Sequence, residues 1–221
     1  MTETRRPRLV DVCCCQGGAS RGYADAGFDV TGVDIVPQPR YPFPFILMDA
    51  LKFLEFYTKS FDAIAISPPC QAHTLAQRIQ GNEHADLIEP ARALLDASGL
   101  PWVMENVVGA PLQDPQLLCG AMFGLETYRH RLFETGGGFS FDAPVHPQHV
   151  VKTTKMGRRR RPGEFMHIVG NFTGVDDGRQ VMGMPWANRD GLREAVPPAY
   201  TEFIGVRLMA HITGYEEVQA A

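Results

Sequence analysis

Apolar residues along the first two-thirds of the chain fall into short runs separated by stretches of helical spacing. Leu9-Val10-Asp11-Val12 reads as a first strand, followed by a glycine turn at Gln16-Gly17-Gly18 and a helix near Ser20 to Ala26. Val30 to Ile35 predicts a second strand whose charged end is Asp34. Pro37, Pro39, Pro42 and Pro44 then exclude regular structure. Phe45 to Met48 predicts a third strand, leading into a helix after Asp49, and Phe61 to Ile66 is an apolar run that stops at Pro68-Pro69. Leu87, Ala91, Leu94 and Leu95 share one side of a helix within His84 to Ala97. Trp102-Val103-Met104 is a further strand, ending at Glu105-Asn106. Such alternation implies parallel β-α-β units in one sheet.

The pattern breaks after Phe133. Residues 136–178 are rich in Gly, Pro, His and basic residues and show little periodicity. Helices are predicted again from Gly178 to Met184 and from Pro198 to Ile212, ahead of a frayed tail. The expected organisation is a main domain over 1–135, a small inserted region over 136–178 and a segment over 179–221 that returns to the main domain.

Composition narrows the class. The 221 residues are 44% apolar and 21% charged, ordinary for a globular chain. No apolar run approaches the ~20 residues that cross a bilayer, and the polar N-terminus has no signal-peptide core. The expectation is a cytoplasmic protein with no membrane partner. Five cysteines, three of them adjacent (Cys13, Cys14, Cys15), make a poor disulfide framework and fit a reducing compartment. No C-x-x-C pair accompanies them, so no metal is expected. A net charge of −4 excludes a uniformly basic surface, so any nucleic-acid contact must be a local patch. Arg158, Arg159, Arg160 and Arg161, with Lys152 and Lys155, form the dense basic stretch. Gly157 and Pro162-Gly163 bracket the arginines, as suits a phosphate-contacting loop.

Two chemical elements sit at predicted strand ends, where open α/β sheets bind ligands, and a third follows them before Leu132-Phe133. Ser67-Pro68-Pro69-Cys70-Gln71 places a thiol after a stiff turn. Glu105-Asn106-Val107 places a carboxylate at another strand end. Arg129-His130-Arg131 places two arginines two apart on an extended segment, where they should point to one face. The glycine turn, with Asp34 about twenty residues after the first strand, suits a cofactor's ribose hydroxyls but does not by itself separate one nucleotide cofactor from another.

Taken in order, Pro68-Pro69-Cys70-Gln71, Glu105-Asn106-Val107 and Arg129-x-Arg131 resemble the motifs of the C5-cytosine DNA methyltransferases. Asp11, Gly17-Gly18, Ser20, Gly22 and Ala26-Gly27-Phe28 resemble that family's cofactor-binding opening. Met182-Gly183-Met184-Pro185 and Ala195-Val196-Pro197-Pro198 resemble its last two motifs. The resemblance spans about residues 9–208 and implies a Rossmann-like S-adenosylmethionine (SAM)-dependent methyltransferase fold, with helices on both faces of the sheet and a small inserted target-recognition region. It implies a SAM site built from Asp11, Gln16, Gly17, Gly18, Asp34, Ile35, Asp49, Ala50, Pro68, Ala195 and Val196. Asp49 would reach the adenine amine, Ile35 would pack the ring and Pro68 would line the methionine end. Catalysis would fall to Cys70, Glu105, Arg129 and Arg131. DNA, duplex with a flipped cytosine or single-stranded, would be the partner of a monomeric enzyme, nucleoid-associated in a bacterial host. Gln71, Arg78 and Arg158 to Arg161 would contact DNA, and His146, His149, His167, Asn171 and Thr173 are candidate base readers.

Four positions depart from the family pattern. Cys13 and Cys15 replace an aromatic residue and a glycine, and Arg193-Glu194 replaces Gly-Asn. Because these positions border the expected cofactor site, a modified donor stays open, as do an RNA or nucleotide acceptor and a non-catalytic DNA-binding protein of the same fold.

Overall fold

A computed structural model describes residues 5–69, 86–155 and 157–214. Cys70, Gln71 and Arg78 lie outside the described residues.

Seven strands form one sheet in the order β3-β2-β1-β4-β5-β7-β6. They are β1 (Arg8–Val12), β2 (Asp29–Asp34), β3 (Phe45–Leu47), β4 (Ala63–Ile66), β5 (Trp102–Asn106), β6 (Gln116–Leu118) and β7 (Arg131–Gly136). The first five are parallel, as the β-α-β alternation predicts. β7 is antiparallel to both neighbours. The helices are α1 (Gly18–Asp25), α2 (Ala50–Phe56), α3 (Ile88–Ser98), α4 (Val175–Met182), α5 (Arg189–Glu194) and α6 (Pro198–Thr213). Among the described residues no helix is long and apolar enough to cross a membrane.

Strand periodicity divides the core. Leu9, Val30, Ala63, Ala65 and Val103 face α1 and α6, while Val10, Val12, Val33, Ile64 and Ile66 face α2 and α3. Helices therefore cover both faces, as expected. The packing of α1 on α6 depends on Gly22, where a Cβ would lie 2.1 Å from the Pro198 carbonyl oxygen. Asp49 caps α2 by accepting from the Lys52 amide at 3.0 Å. On the other flank the buried Arg92 of α3 donates to both Glu134 oxygens of β7, at 2.6 and 2.8 Å, and fixes the helix over the antiparallel edge.

The segment after β7 is not packed as a separate unit. Phe139 and Phe141 enter the α1/α6 core. Met166, Ile168 and Phe172 form a third cluster with Val181, Met184 and Leu192 on either side of the expected boundary at 178. Between Gly137 and Gly174 the described residues make a single isolated bridge, Thr153 to Phe165.

Candidate active site

The strand order reverses between β1 and β4, which opens a crevice at their carboxyl ends. A cleft of about 520 Å³ occupies that edge, within the range of small-molecule sites. Its lining runs from Asp34, Ile35, Asp49 and Ala50 at one end, past Ser67, Pro68 and Pro69, to Glu105, Asn106 and Arg131 at the other.

The catalytic end is built by register. Glu105 of β5 lies opposite Phe133 of β7, so Arg131, two residues earlier, is its diagonal neighbour on the same sheet face. The Arg131 guanidinium meets the Glu105 carboxylate at 2.8 Å. Burial pushes the Glu105 carboxyl above its ordinary value, opposed by the Arg131 charge, a Ser67 hydrogen bond and the Arg129 charge. Asn106 donates to the Pro68 carbonyl at 3.1 Å and accepts from the Val107 amide, stapling the Pro68-Pro69 turn to β5. Cys70 follows Pro69 directly in the sequence. Ser67 and Asn106 escaped the sequence reading as site residues, although both adjoin residues that it singled out.

Arg131 lines the cleft and Arg129 does not. The Arg129 backbone has φ 26°, and its guanidinium donates to the carbonyls of Ile168, Arg193 and Ala195 at 2.8, 2.7 and 2.8 Å. The prediction of two arginines side by side assumed an extended chain at both positions; the left-handed turn at Arg129 reverses one of them. Arg129 is a strut that holds the 193–195 segment against the site.

The cofactor candidates split into two layers. Asp34, Ile35, Asp49, Ala50 and Pro68 line the cleft itself. Asp34 accepts from the Cys15 and Val36 amides at 3.0 Å each, which fixes its carboxylate at the strand end. Ile35 leaves 67% of its surface exposed, an apolar shelf beside that carboxylate. Asp11, Gln16, Gly18, Ala195 and Val196 instead line a smaller cavity of about 30 Å³, which shares Cys13, Cys15, Ser67 and Glu194 with the cleft. Both ends of the Gln16 side-chain amide are bonded to Asn188. Gly17, at φ 80°, lies under the Tyr41 ring. These residues shape the wall behind the cleft rather than its surface.

All four departing positions, Cys13, Cys15, Arg193 and Glu194, line the cleft. Cys13 and Cys15 adopt φ 59° and 48° beyond the end of β1, so they escape the strand alternation that would send neighbouring cysteines to opposite faces. The Cys15 thiol donates to Glu194 at 3.4 Å.

Asp11 is 1% exposed and accepts a short hydrogen bond from the Ser20 hydroxyl, which also lies 2.8 Å from the Tyr41 hydroxyl. Burial pushes its carboxyl up to about 7. The folded protein thus retains a proton that the unfolded chain, with an ordinary value of 3.8, releases. The sign follows: this group's contribution to stability is present below about pH 4 and is lost as pH rises to about 7. We expect Asp11→Asn to flatten that decline, measured by denaturant unfolding across the interval. Glu105 slopes the same way in both proteins, so the difference between them reports Asp11 together with its coupling to Glu105. Identical slopes would assign the titration to another group.

The basic stretch is partly neutralised. Arg158 pairs with Glu164 at 2.7 Å, and Arg160 is held by Asp177 at 2.9 Å and by Glu126. Arg159, Arg161, Lys152 and Lys155 are exposed and carry the remaining positive surface. His146 and His149, candidate base readers, turn their rings toward each other and toward His130.

No family model and no curated protein matches the chain. Two solved structures share its architecture over nearly the whole length. An Escherichia coli prophage protein, provisionally assigned as a DNA modification methyltransferase, superposes with a TM-score of 0.65 at 15% identity, covering 94% of this chain and 99% of its own. The Dnmt2 methyltransferase of Schizosaccharomyces pombe superposes with a TM-score of 0.59 at 10% identity, covering 95% and 100%. At such identities the likeness is one of fold: the chain has the Rossmann-like α/β fold of these methyltransferases.

Proposed function

We propose that the protein is a SAM-dependent methyltransferase acting on C5 of cytosine in DNA, with Cys70 as nucleophile. The observation that carries this reading is the buried Glu105–Arg131 pair at the floor of the cleft, beside the Pro68-Pro69 turn that Cys70 follows in sequence. The prophage protein's provisional assignment supports DNA as the acceptor.

The cleft fits SAM by its chemistry. Asp34 offers a carboxylate to ribose hydroxyls, Ile35 offers an apolar face to an adenine ring, and Asp49 offers an acceptor to its amine. When bound, SAM supplies an electrophilic methyl group. Cytosine C5 is too poor a nucleophile to take that methyl unaided. Attack of the Cys70 thiolate on C6 forms an S–C6 bond and moves electron density to C5, the covalent route to an activated carbon. Negative charge builds at N3 and O2 as the bond forms. Glu105, whose carboxyl burial favours the protonated form, donates at N3, while Arg131 orients Glu105 and reaches O2. Once C5 is methylated, loss of its proton to a base, departure of the thiolate from C6 and return of the N3 proton to Glu105 restore the neutral aromatic ring. The base must leave the duplex stack to reach this floor.

Donor placement is tested by titrating SAM into Asp34→Ala. Loss of a charged hydrogen-bond acceptor is expected to weaken binding by at least about tenfold. Unchanged affinity would take the ribose away from the end of β2.

A further inference from the structure

Beyond the cleft, four side chains meet at one point on the antiparallel edge. Cys119 follows β6 and is buried, His130 immediately precedes β7, and His146 and His149 come from the segment after Phe141. Their potential ligand atoms all lie within 4.8 Å of one another. The Cys119 sulfur is 3.4 Å from His149 Nε2, and His130 Nε2 is 3.0 Å from His146 Nε2.

We propose that Cys119, His130, His146 and His149 bind a zinc ion in a closed, structural site. Zinc–sulfur and zinc–nitrogen bonds of about 2.3 and 2.0–2.1 Å in a tetrahedron set ligand atoms roughly 3.3–3.6 Å apart. The sulfur–nitrogen pair falls within that spacing, the nitrogen–nitrogen pair lies about 0.3 Å short of it, and no pair among the four exceeds it by much more than 1 Å. A thiolate with three imidazoles is a borderline-soft donor set that suits zinc over calcium or magnesium. A plain hydrogen-bonded histidine cluster explains one N–N contact but gives no reason for a buried thiol and a third ring to converge on it.

The surroundings fix the ligands as an outer shell does. The Tyr128 ring stacks on His149 with centroids 3.6 Å apart. Its hydroxyl accepts from the Val151 amide and donates to the Val151 carbonyl, both at 2.9 Å. Four protein donors leave no open position, so the ion would brace rather than catalyse. Between Gly137 and Gly174 the described chain has a single bridge and no strand or helix, and a metal would supply a cross-link that secondary structure does not. His130 stands between Arg129, the strut, and Arg131, the partner of Glu105, so the same ion would anchor the backbone that aims both arginines.

The test uses the full chain, freed of any histidine tag, and is independent of methyl transfer. Elemental analysis of protein grown with zinc is expected to find about one zinc per chain. Replacing zinc by cobalt should give tetrahedral d–d absorption and a thiolate-to-cobalt charge-transfer band. Cys119→Ser should lose the charge-transfer band, and His146→Ala, a change at an exposed ring, should bind zinc at least about tenfold more weakly. If Cys119→Ser does not fold, the wild-type cobalt spectrum and His146→Ala still decide. Folded wild-type protein that takes up neither metal would overturn the assignment. So would full retention of metal in His146→Ala, which would place the ion elsewhere, for example at Cys13 to Cys15.

Discussion

Cys70→Ala should lose methyl transfer altogether while binding SAM as the parent protein does. The asymmetry follows from the division of labour in the cleft. The proposed donor contacts come from Asp34, Ile35 and Asp49 at the ends of β2 and β3. The thiol, by contrast, acts only on C6 of the base. Without it C5 stays unactivated. A duplex carrying 5-fluorocytosine makes the difference visible. Fluorine at C5 cannot leave as a proton does, so the wild-type protein should remain joined to DNA after transfer and the variant should not. Turnover by Cys70→Ala, or an adduct mapping to another residue, would remove Cys70 from the mechanism.

Glu105→Ala is expected to lower kcat by about 10²–10⁴, the usual worth of a positioned acid, with SAM affinity close to wild type. The carboxyl is raised by burial and held at 2.8 Å by Arg131. It therefore combines two properties that suit an acid at N3: burial that favours the protonated form and a fixed direction. Deprotonation of Glu105 should make the wild-type rate fall as pH rises, and the variant should lack that fall. Removing the carboxylate also leaves the Arg131 guanidinium buried without its partner, so the unfolding free energy is measured alongside. A variant with kcat within a few fold of wild type would show that Glu105 is structural.

Much of this site is legible in the sequence because its parts lie at the ends of buried parallel strands. β1, β4 and β5 are largely apolar runs, β2 alternates around Val30 and Val33, and the charged residues at strand ends, Asp34 and Glu105, both reach the cleft. Asp49 was legible as a helix start and proves to be the cap of α2. Long-range partners were not legible. The direction of Arg129 depends on a left-handed backbone and on carbonyls 39 to 66 residues away. The quenching of Arg158 and Arg160 depends on Glu164, Glu126 and Asp177. β6 has three residues and no periodicity to detect, yet with β7 it creates the edge where Cys119 and His130 meet. The adjacent Cys13 to Cys15 are conspicuous in the sequence but carry no metal-site spacing. The four residues that converge are spread from 119 to 149 and share no local signature beyond His146-x-x-His149.

Nucleoside mass spectrometry of unmethylated duplex DNA, after incubation with the protein and SAM, tests the central claim most directly. The account predicts 5-methylcytosine, formed by the wild-type protein and absent with Cys70→Ala. Unmodified cytosine after incubation with protein that demonstrably binds SAM would contradict it, and would send the search for the acceptor to RNA and free nucleotides.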